Sequence, residues 1–450
     1  MSAAMSARTV RQVDGLDSVR ALQRVLYRSA KQDRERRFHA LWDKVARSDV
    51  MWRAWCDVAA NDGAPGVDGV RIADVEAGGV ESVRAFLDGL AERVRSGSYR
   101  PQPLRRVHIP KPGRPGQTRP LGIPAVGDRV LMAAAKIVLE PIFEADFRPV
   151  SFGFRPNRSA QQALEAVRVT ANQGRVWVLD ADIKACFDAI DHDALIAQVQ
   201  RRVVDRRMLK LLRGWLRAGV FEGGVVSPSE AGAPQGSPLS PLLANIALHV
   251  LDLAWEQDGQ RLGRLVRYCD DFVVLCPTQE RAEQARLLAG HTLGPLGLQL
   301  HPDKTHVVCV RDGGQGFDFL GFHHRMVESR KRRGRYWMHK WPSARAMASI
   351  RAKVRGLTAP RQVGLPLNVV VEQLNPVLRG WGAYFRQGNS SAKFGAIDSY
   401  VHERMAILAS RKHHRSGFNW LDRYTWDWLG NLGIYRLEGT VRYPAVNACR

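Results

Sequence analysis

Asp180, Asp182, Asp270 and Asp271 are the residues whose types and spacing most clearly imply chemistry. The first two occur in "VLDADIKACFD", the last two in "RLVRYCDDFVVLC". Leu265 and Val266 lead into the second pair and Phe272, Val273, Val274 and Leu275 lead out of it, the pattern of two buried strands joined by a tight tip. Alternate residues of a strand share a face, so Asp180 and Asp182 point the same way. Carboxylates placed among apolar strands cost several kcal/mol each unless something compensates them. A hairpin tip beside the end of the Asp180–Asp182 strand would bring all these carboxylates together. A divalent ion, or a pair, makes such a gathering favourable, and oxygen-only donors point to Mg²⁺ or Mn²⁺ rather than zinc. Two ions roughly 4 Å apart clamp the attacking and leaving oxygens of an in-line phosphoryl displacement. The chemistry expected is phosphoryl transfer.

The elements that must position these acids are legible along the chain. The first 60 residues are expected to be helical, with apolar spots at Leu22, Val25 and Leu26. "NDGAPGVDG" is a loop, and a proline-rich basic stretch follows with extended pieces around Val107 to Ile109. The pattern turns helical from Arg129 to Phe147. "SFGFRPNRSAQQALEAV" reads as a loop delivering a helix capped by Asn157 or Ser159. "GSPLSPLLANIALHVLDLAW" opens on Ser-Pro and continues as a helix. Helix, turn and strand follow the hairpin, "FDFLGF" is a short strand, and the chain beyond about residue 340 is mostly helical. There Asn375 reads as a cap before an apolar stripe at Leu374, Val377, Leu378, Trp381 and Tyr384.

Composition narrows the partners. The 450 residues carry 67 Lys+Arg against 44 Asp+Glu, a formal net charge of +23, which calls for a polyanion such as nucleic acid. A basic membrane-surface protein is the rival reading, without a lipidation motif to support it. Between Phe322 and Arg361 there are 12 Lys/Arg and one Glu, including the run "SRKRRGRYWMHKW". Arginines interleaved with aromatics suit a surface that follows phosphates and stacks on bases, and Arg332, Arg333 and Arg335 are candidate nucleic-acid contacts. The six cysteines lack metal-site spacing and read as reduced thiols. No run of about 18 apolar residues occurs and the N-terminus lacks an apolar signal core, so no membrane partner and a cytoplasmic location are expected.

With these motifs in place the chain resembles the reverse transcriptases encoded by group II introns. "YCDDFVVL" looks like the Tyr-x-Asp-Asp hairpin of that family. "RPQPLRRVHIPKPGRPGQTRPLGIP", "SFGFRPNRSAQQAL", "DADIKACFDAIDHDAL", "GAPQGSPLSPLLANIAL", "LGLQLHPDKT" and "FDFLGF" follow the order of its fingers and palm. "NDGAPGVDG" resembles the lineage's extra N-terminal segment, and "LNPVLRGWGAYFR" is similar to its thumb, or maturase, domain. The resemblance covers roughly residues 40–440. It implies an α+β right-hand polymerase fold with an antiparallel-sheet palm, mixed fingers and an α-helical thumb. The expected division is an N-terminal helical extension over 1–60, fingers and palm over 61–325, and a basic linker with thumb/maturase domain over 326–445.

The resemblance also implies roles. Asp182, Asp270 and Asp271 match the metal-binding triad, with the carbonyl of Ile183 completing one site and Asp180 standing behind. Phe187 matches the aromatic gate that crowds a ribose 2′-hydroxyl, although a Phe there also suits a core. Lys111 and Arg119 match the finger residues that grip the incoming triphosphate, a task for a point charge and a bidentate fork. Gln235 and Gly236 match the loop packed against template and nucleotide, Gly permitting close backbone approach. Lys304 is a candidate donor of a proton to the pyrophosphate leaving group, or a solvated strand-edge lysine. Asp188, Asp191 and His192 read as structural, capping a following helix. Arg155 and Arg158 are expected to meet template phosphates.

Cys269 departs from the alanine usual before the two aspartates in this family. No His-Asn-His nuclease with paired cysteines is present, so a primer made elsewhere is expected. The function implied is RNA-templated DNA synthesis with two Mg²⁺ (Mn²⁺ is the alternative), using template RNA, a DNA primer and dNTPs. Assistance to group II intron RNA splicing is implied as well. The rival readings are a catalytically silent RNA-binding maturase and an intron-free relative recruited to DNA repair or phage defence.

Overall fold

The computed structural model describes residues 15–110, 116, 118–229, 231–232, 236–414 and 420–443. Lys111 and Gln235 lie outside the described residues. The fold is α+β and has the right-hand polymerase arrangement.

Among the described residues, eleven strands form three sheets. The palm sheet has the order β6 (Arg264–Tyr268), β7 (Asp271–Cys276), β3 (Trp177–Asp182), β8 (His306–Cys309), every neighbour antiparallel. Alternation along its central strands divides the molecule's apolar interior. Leu179, Ala181, Phe272, Val274 and Cys276 join one core, which also takes in the helix Gln279–Leu293 through Ala282, Ala285 and Ala289. Val178, Val273 and Leu275 join a second core shared with the helix Ala160–Asn172 and the C-terminal helices. Counting by two from Val178 and back from Val273, Asp180, Asp182 and Asp271 fall on the face of this second core. The pleat alone therefore turns all three acids toward the thumb side of the palm.

The finger sheet runs β2 (Thr118–Ile123), β1 (Leu104–Pro110), β4 (Val220–Glu222), β5 (Val225–Ser227). β1 pairs antiparallel with β2 and parallel with β4, so the sheet is mixed. The third sheet, β11 (Arg332–Pro342), β10 (Phe322–Ser329), β9 (Phe317–Phe319), links palm to thumb. The thumb is the helical set Ala344–Leu357, Leu367–Phe385 and Ser391–Lys412. Phe322 anchors it, its ring 4.8 Å from Phe385 and 5.7 Å from Tyr384.

The N-terminal helix Gly15–Gln32 buries Val19, Leu22, Leu26 and Ala30 in the same core as the almost wholly buried helix Val126–Glu144. Val25, expected among its apolar spots, is instead 61% exposed. The expected division at 325/326 falls within β10, and the second core runs across it. Ser159, not Asn157, caps the helix Ala160–Asn172, in a capping box with Gln162. Asn375 is not a cap. It sits inside the helix Leu367–Phe385, where its side chain donates to the Gly433 carbonyl and accepts from the Tyr435 amide, tying the C-terminal segment down. No helix among the described residues is long and apolar enough to cross a membrane.

Arg155 corrects an expectation. All five of its guanidinium hydrogens are taken: Nε and one terminal nitrogen grip Glu144, and the rest go to the carbonyls of Arg148, Ser151 and Phe147. The residue is 7% exposed. It holds the loop after the helix Val126–Glu144 in place and has no donor left for a template phosphate. Removing one partner of a buried ion pair costs about 3 kcal/mol. Arg155→Ala is expected to lower the melting temperature by several degrees. Calorimetry checks this, and an unchanged melting curve would contradict the structural role.

Candidate active site

The acids meet as the strand patterns require. Asp182 stands directly opposite Asp271 in the β3–β7 register, and Tyr268 pairs with Asp271 across the hairpin, leaving Cys269 and Asp270 as a two-residue turn. Directly opposed like charges destabilise a sheet, and burial adds to the strain. Asp271 is pushed well above the ordinary carboxylate range by burial and then by Asp180, Asp270 and Asp182. Burial, with Asp182 adding, also raises Asp270, while Arg119 pulls the other way. Asp180 rises to about 7 through burial, Asp318 and Asp182. One cation is already in contact: Lys304 Nζ donates to Asp182 Oδ2 at 2.5 Å. Lys304 projects from a turn closed by bonds from its own and the Thr305 amide to the His301 carbonyl, not from a strand edge.

Beneath the turn lies a set of residues that motif reading missed. Arg267 is fully buried. It grips Asp252 through two bonds of 2.8 and 2.6 Å, and also donates to Ser151 Oγ, Asn245 Oδ1 and the carbonyl of Cys269. Burial disfavours an ionised Asp252, yet the Arg267 guanidinium outweighs it and holds the acid below its usual range. Asn245 in turn donates to the Gly153 carbonyl. A Cβ at Gly153 would stand 2.5 Å from the Cys269 nitrogen, so only glycine fits there. The signal was present: Arg267 interrupts an apolar strand and Asp252 an apolar helix, and opposite charges embedded in apolar runs must find each other.

Cys269 has φ 60°, a backbone conformation that favours glycine at the first position of such a turn. It is 1% exposed. Its thiol donates to Asp270 and is itself pushed up to about 12 by burial and that neighbour.

The other expected residues fall as follows. Ile183 is buried, bridged to Leu300 below the acids. Phe187 occupies the short helix Cys186–Ala189, half-buried against the palm core, after Ala185 in left-handed backbone at φ 46°. Gly232 packs on this segment so closely that a Cβ would lie 2.8 Å from the Phe187 carbonyl. Gly236 has φ 111°, and a Cβ there would meet the Gly122 carbonyl of β2 at 2.8 Å. Arg119 is exposed on β2, near enough to act on Asp188 and Asp270. Asp191 caps the helix His192–Gln200 and His192 bonds the Gly232 carbonyl. Arg158 lies over the Phe152 ring and stays exposed, while Arg332, Arg333 and Arg335 are exposed at the far end of the β10–β11 ribbon.

The donor set fits a divalent ion: oxygen-only, partly buried, and mutually repelling. Among the described residues no group of three or more candidate ligands already stands at metal-holding spacing. A raised Asp180 pKa means the folded protein holds that proton more tightly than the unfolded chain. Stability without metal therefore falls as pH rises from about 4 to about 7. Asp180→Asn in EDTA is expected to melt several degrees above wild type at pH 8, the two curves converging near pH 4. Parallel curves across that range would show that Asp180 is not buried as a charge.

Comparison with known proteins identifies the family of the chain. The reverse transcriptase (RNA-dependent DNA polymerase) family matches residues 109–324, and the group II intron maturase-specific domain matches residues 347–426. Protein YkfC of Escherichia coli is 34% identical over 353 residues, 70% of this chain and 89% of that protein. The group II intron-encoded protein LtrA of Lactococcus lactis is 37% identical over 215 residues, 48% of this chain and 35% of LtrA. Telomerase from Candida albicans aligns at a TM-score of 0.41 and 13% identity, over 78% of this chain and 64% of the telomerase. The chain belongs to the group II intron reverse transcriptases, RNA-directed DNA polymerases that carry a maturase-specific domain.

Proposed function

We propose that this reverse transcriptase copies intron RNA into DNA with two Mg²⁺ held by Asp182, Asp270, Asp271 and the Ile183 carbonyl. The observation that carries the reading is the register pair of Asp182 and the largely buried Asp271, beside Asp270, a gathering of like charges that cations relieve. When bound, the ions supply Lewis-acid stabilisation of the charge that develops on the reacting phosphoryl oxygens.

The chain's own residues do the rest. Arg119 meets the triphosphate from the finger sheet, near enough to Asp270 to act on its charge, and Lys111 shares that task. Phe187 crowds the ribose of the incoming nucleotide, and Gly232 sets its position by packing on the following backbone. Gly236, beside the Gly122 carbonyl of β2, borders the nucleotide, and Gln235 contributes to the same contact. Lys304 guards Asp182 as a counter-ion and swings to the leaving pyrophosphate to donate a proton; its exposed stem leaves it free to move. Arg158 meets the template, and Arg332, Arg333 and Arg335 hold nucleic acid farther out.

In this reading residues 1–60 and 326–445 serve intron RNA as a maturase while 61–325 polymerises, using a primer supplied by another reaction, in the cytoplasm. A polymerase of this line working outside an intron differs only in which RNA it meets.

Incorporation of dTTP on poly(rA)/oligo(dT) with Mg²⁺ tests the enzyme reading. Wild type should be active and Asp270→Ala inactive, whereas equal inertness of both across templates and metals would end it. Lys304→Ala should keep nucleic-acid binding and lose about 10²-fold in kcat, the scale of a general acid. Single-turnover kinetics with an unchanged rate would remove Lys304 from the chemistry.

A further inference from the structure

The β10–β11 ribbon has two unlike faces. One carries Phe322, His324, Met326, Met338 and Lys340, all buried. The cross-strand register puts a different set on the other: His323 opposite Trp341, Arg325 opposite His339, and Val327 opposite Trp337. Trp337 is 44% exposed and Arg325 is exposed, while His323, His339 and Trp341 are only partly covered. An indole so exposed normally marks a contact surface.

Three properties say what that surface fits. Trp337, His339 and Trp341 are alternate residues of one strand, so their rings succeed each other at about 6.7 Å along the ribbon. Flat rings spaced along a sheet face are how sheet-based domains stack successive unpaired bases. At the outer end the ribbon carries Arg330, Lys331, Arg332, Arg333 and Arg335, every one exposed, a charge density suited to phosphates. At the inner end His323 bonds Asp318 at 2.7 Å, and Asp318 is close enough to Asp180 to raise its pKa. The aromatic track thus runs from a cationic tip to the edge of the catalytic acids.

We infer that the outer face of the β10–β11 ribbon, built on Trp337, His339 and Trp341, is a stacking platform for single-stranded nucleic acid adjoining the polymerase site. A duplex hides its base faces and gains nothing from such rings, so the platform selects unpaired strands. The basic tip adds affinity without selecting sequence or strandedness. This rests on the nucleic-acid role proposed above for Arg332, Arg333 and Arg335, and extends it to a surface that role does not require.

The test is fluorescence anisotropy of the full chain with a labelled 12-nucleotide RNA, the matching DNA strand and a blunt duplex of the same length, each over a salt series. Trp337→Ala should weaken both single strands roughly tenfold, the worth of one stacked base, and leave the duplex unchanged. Trp337→Phe should restore most of the loss, since a smaller ring still stacks. The triple variant Arg332→Ser, Arg333→Ser, Arg335→Ser should instead weaken all three ligands and flatten the salt dependence, by about 0.7 in logarithmic slope per lost contact to a single strand. The platform is overturned if Trp337→Ala binds single strands as wild type does, or loses duplex binding equally. It is also overturned if Trp337→Phe is as weak as Trp337→Ala. Running dTTP incorporation on the same preparations keeps the two readings apart: an active wild type with an unaffected Trp337→Ala removes the platform alone, while a wild type that neither binds nor polymerises removes both.

Discussion

The candidate active site rests on a single buried ion pair. Arg267 and Asp252 are both closed off from water, and a guanidinium in that position is tolerable only because each of its five hydrogens finds an acceptor. Those acceptors come from the helix Ser240–Ala254, the loop at Ser151 and the turn carbonyl of Cys269. One side chain thereby ties strand β6, a long helix and the loop before the helix Ala160–Asn172 to the tip of the Asp270–Asp271 hairpin. Gly153 completes the clamp by letting that loop touch the turn itself. The fork geometry matters as much as the charge: an ammonium has three donors and no plane, and could not hold these segments in one orientation.

The rigidity has a consequence for the carboxylates above it. Asp270 and Asp271 cannot drift apart, because the turn is pinned from below and β7 is pinned by β3 and β6. Their repulsion is therefore not relaxed by the backbone. It appears as raised proton affinity, strongest at Asp271, and as the contact between Lys304 and Asp182. Charge neutralisation from proton, lysine or divalent ion is the remaining outlet. A site of this kind is prepared for cations by the stiffness of its foundation, and the strained conformation of Cys269 is consistent with a turn whose shape is imposed from outside.

Arginine serves this protein in two opposite ways. Arg155, Arg202 and Arg267 are buried and spend their donors on carbonyls and acids, closing loops and helix ends. The arginines of the ribbon tip stay in water. Composition counts both kinds alike, so the net charge overstates the surface available to nucleic acid. The expectation that Arg155 meets a template phosphate failed for this reason, while the ribbon arginines stand in solvent. Lone charges among apolar neighbours were the warning, since a long cationic side chain in such a setting has an internal partner.

The sequence by itself determined the strands that carry the acids, their faces and the order of the motifs. Period-two alternation around Asp180, Asp182 and Asp271 is a local property, and burial forces it onto one face whatever the rest of the chain does. It also determined the family, because the spaced motifs survive in linear order. Only the tertiary structure decided which charges pair in the interior, that Lys304 rests on Asp182, that Asn375 ties down the C-terminal segment rather than capping a helix, and that one face of the ribbon stays partly exposed. Each of these depends on contacts between segments far apart along the chain, and no local pattern encodes the distance between two such segments.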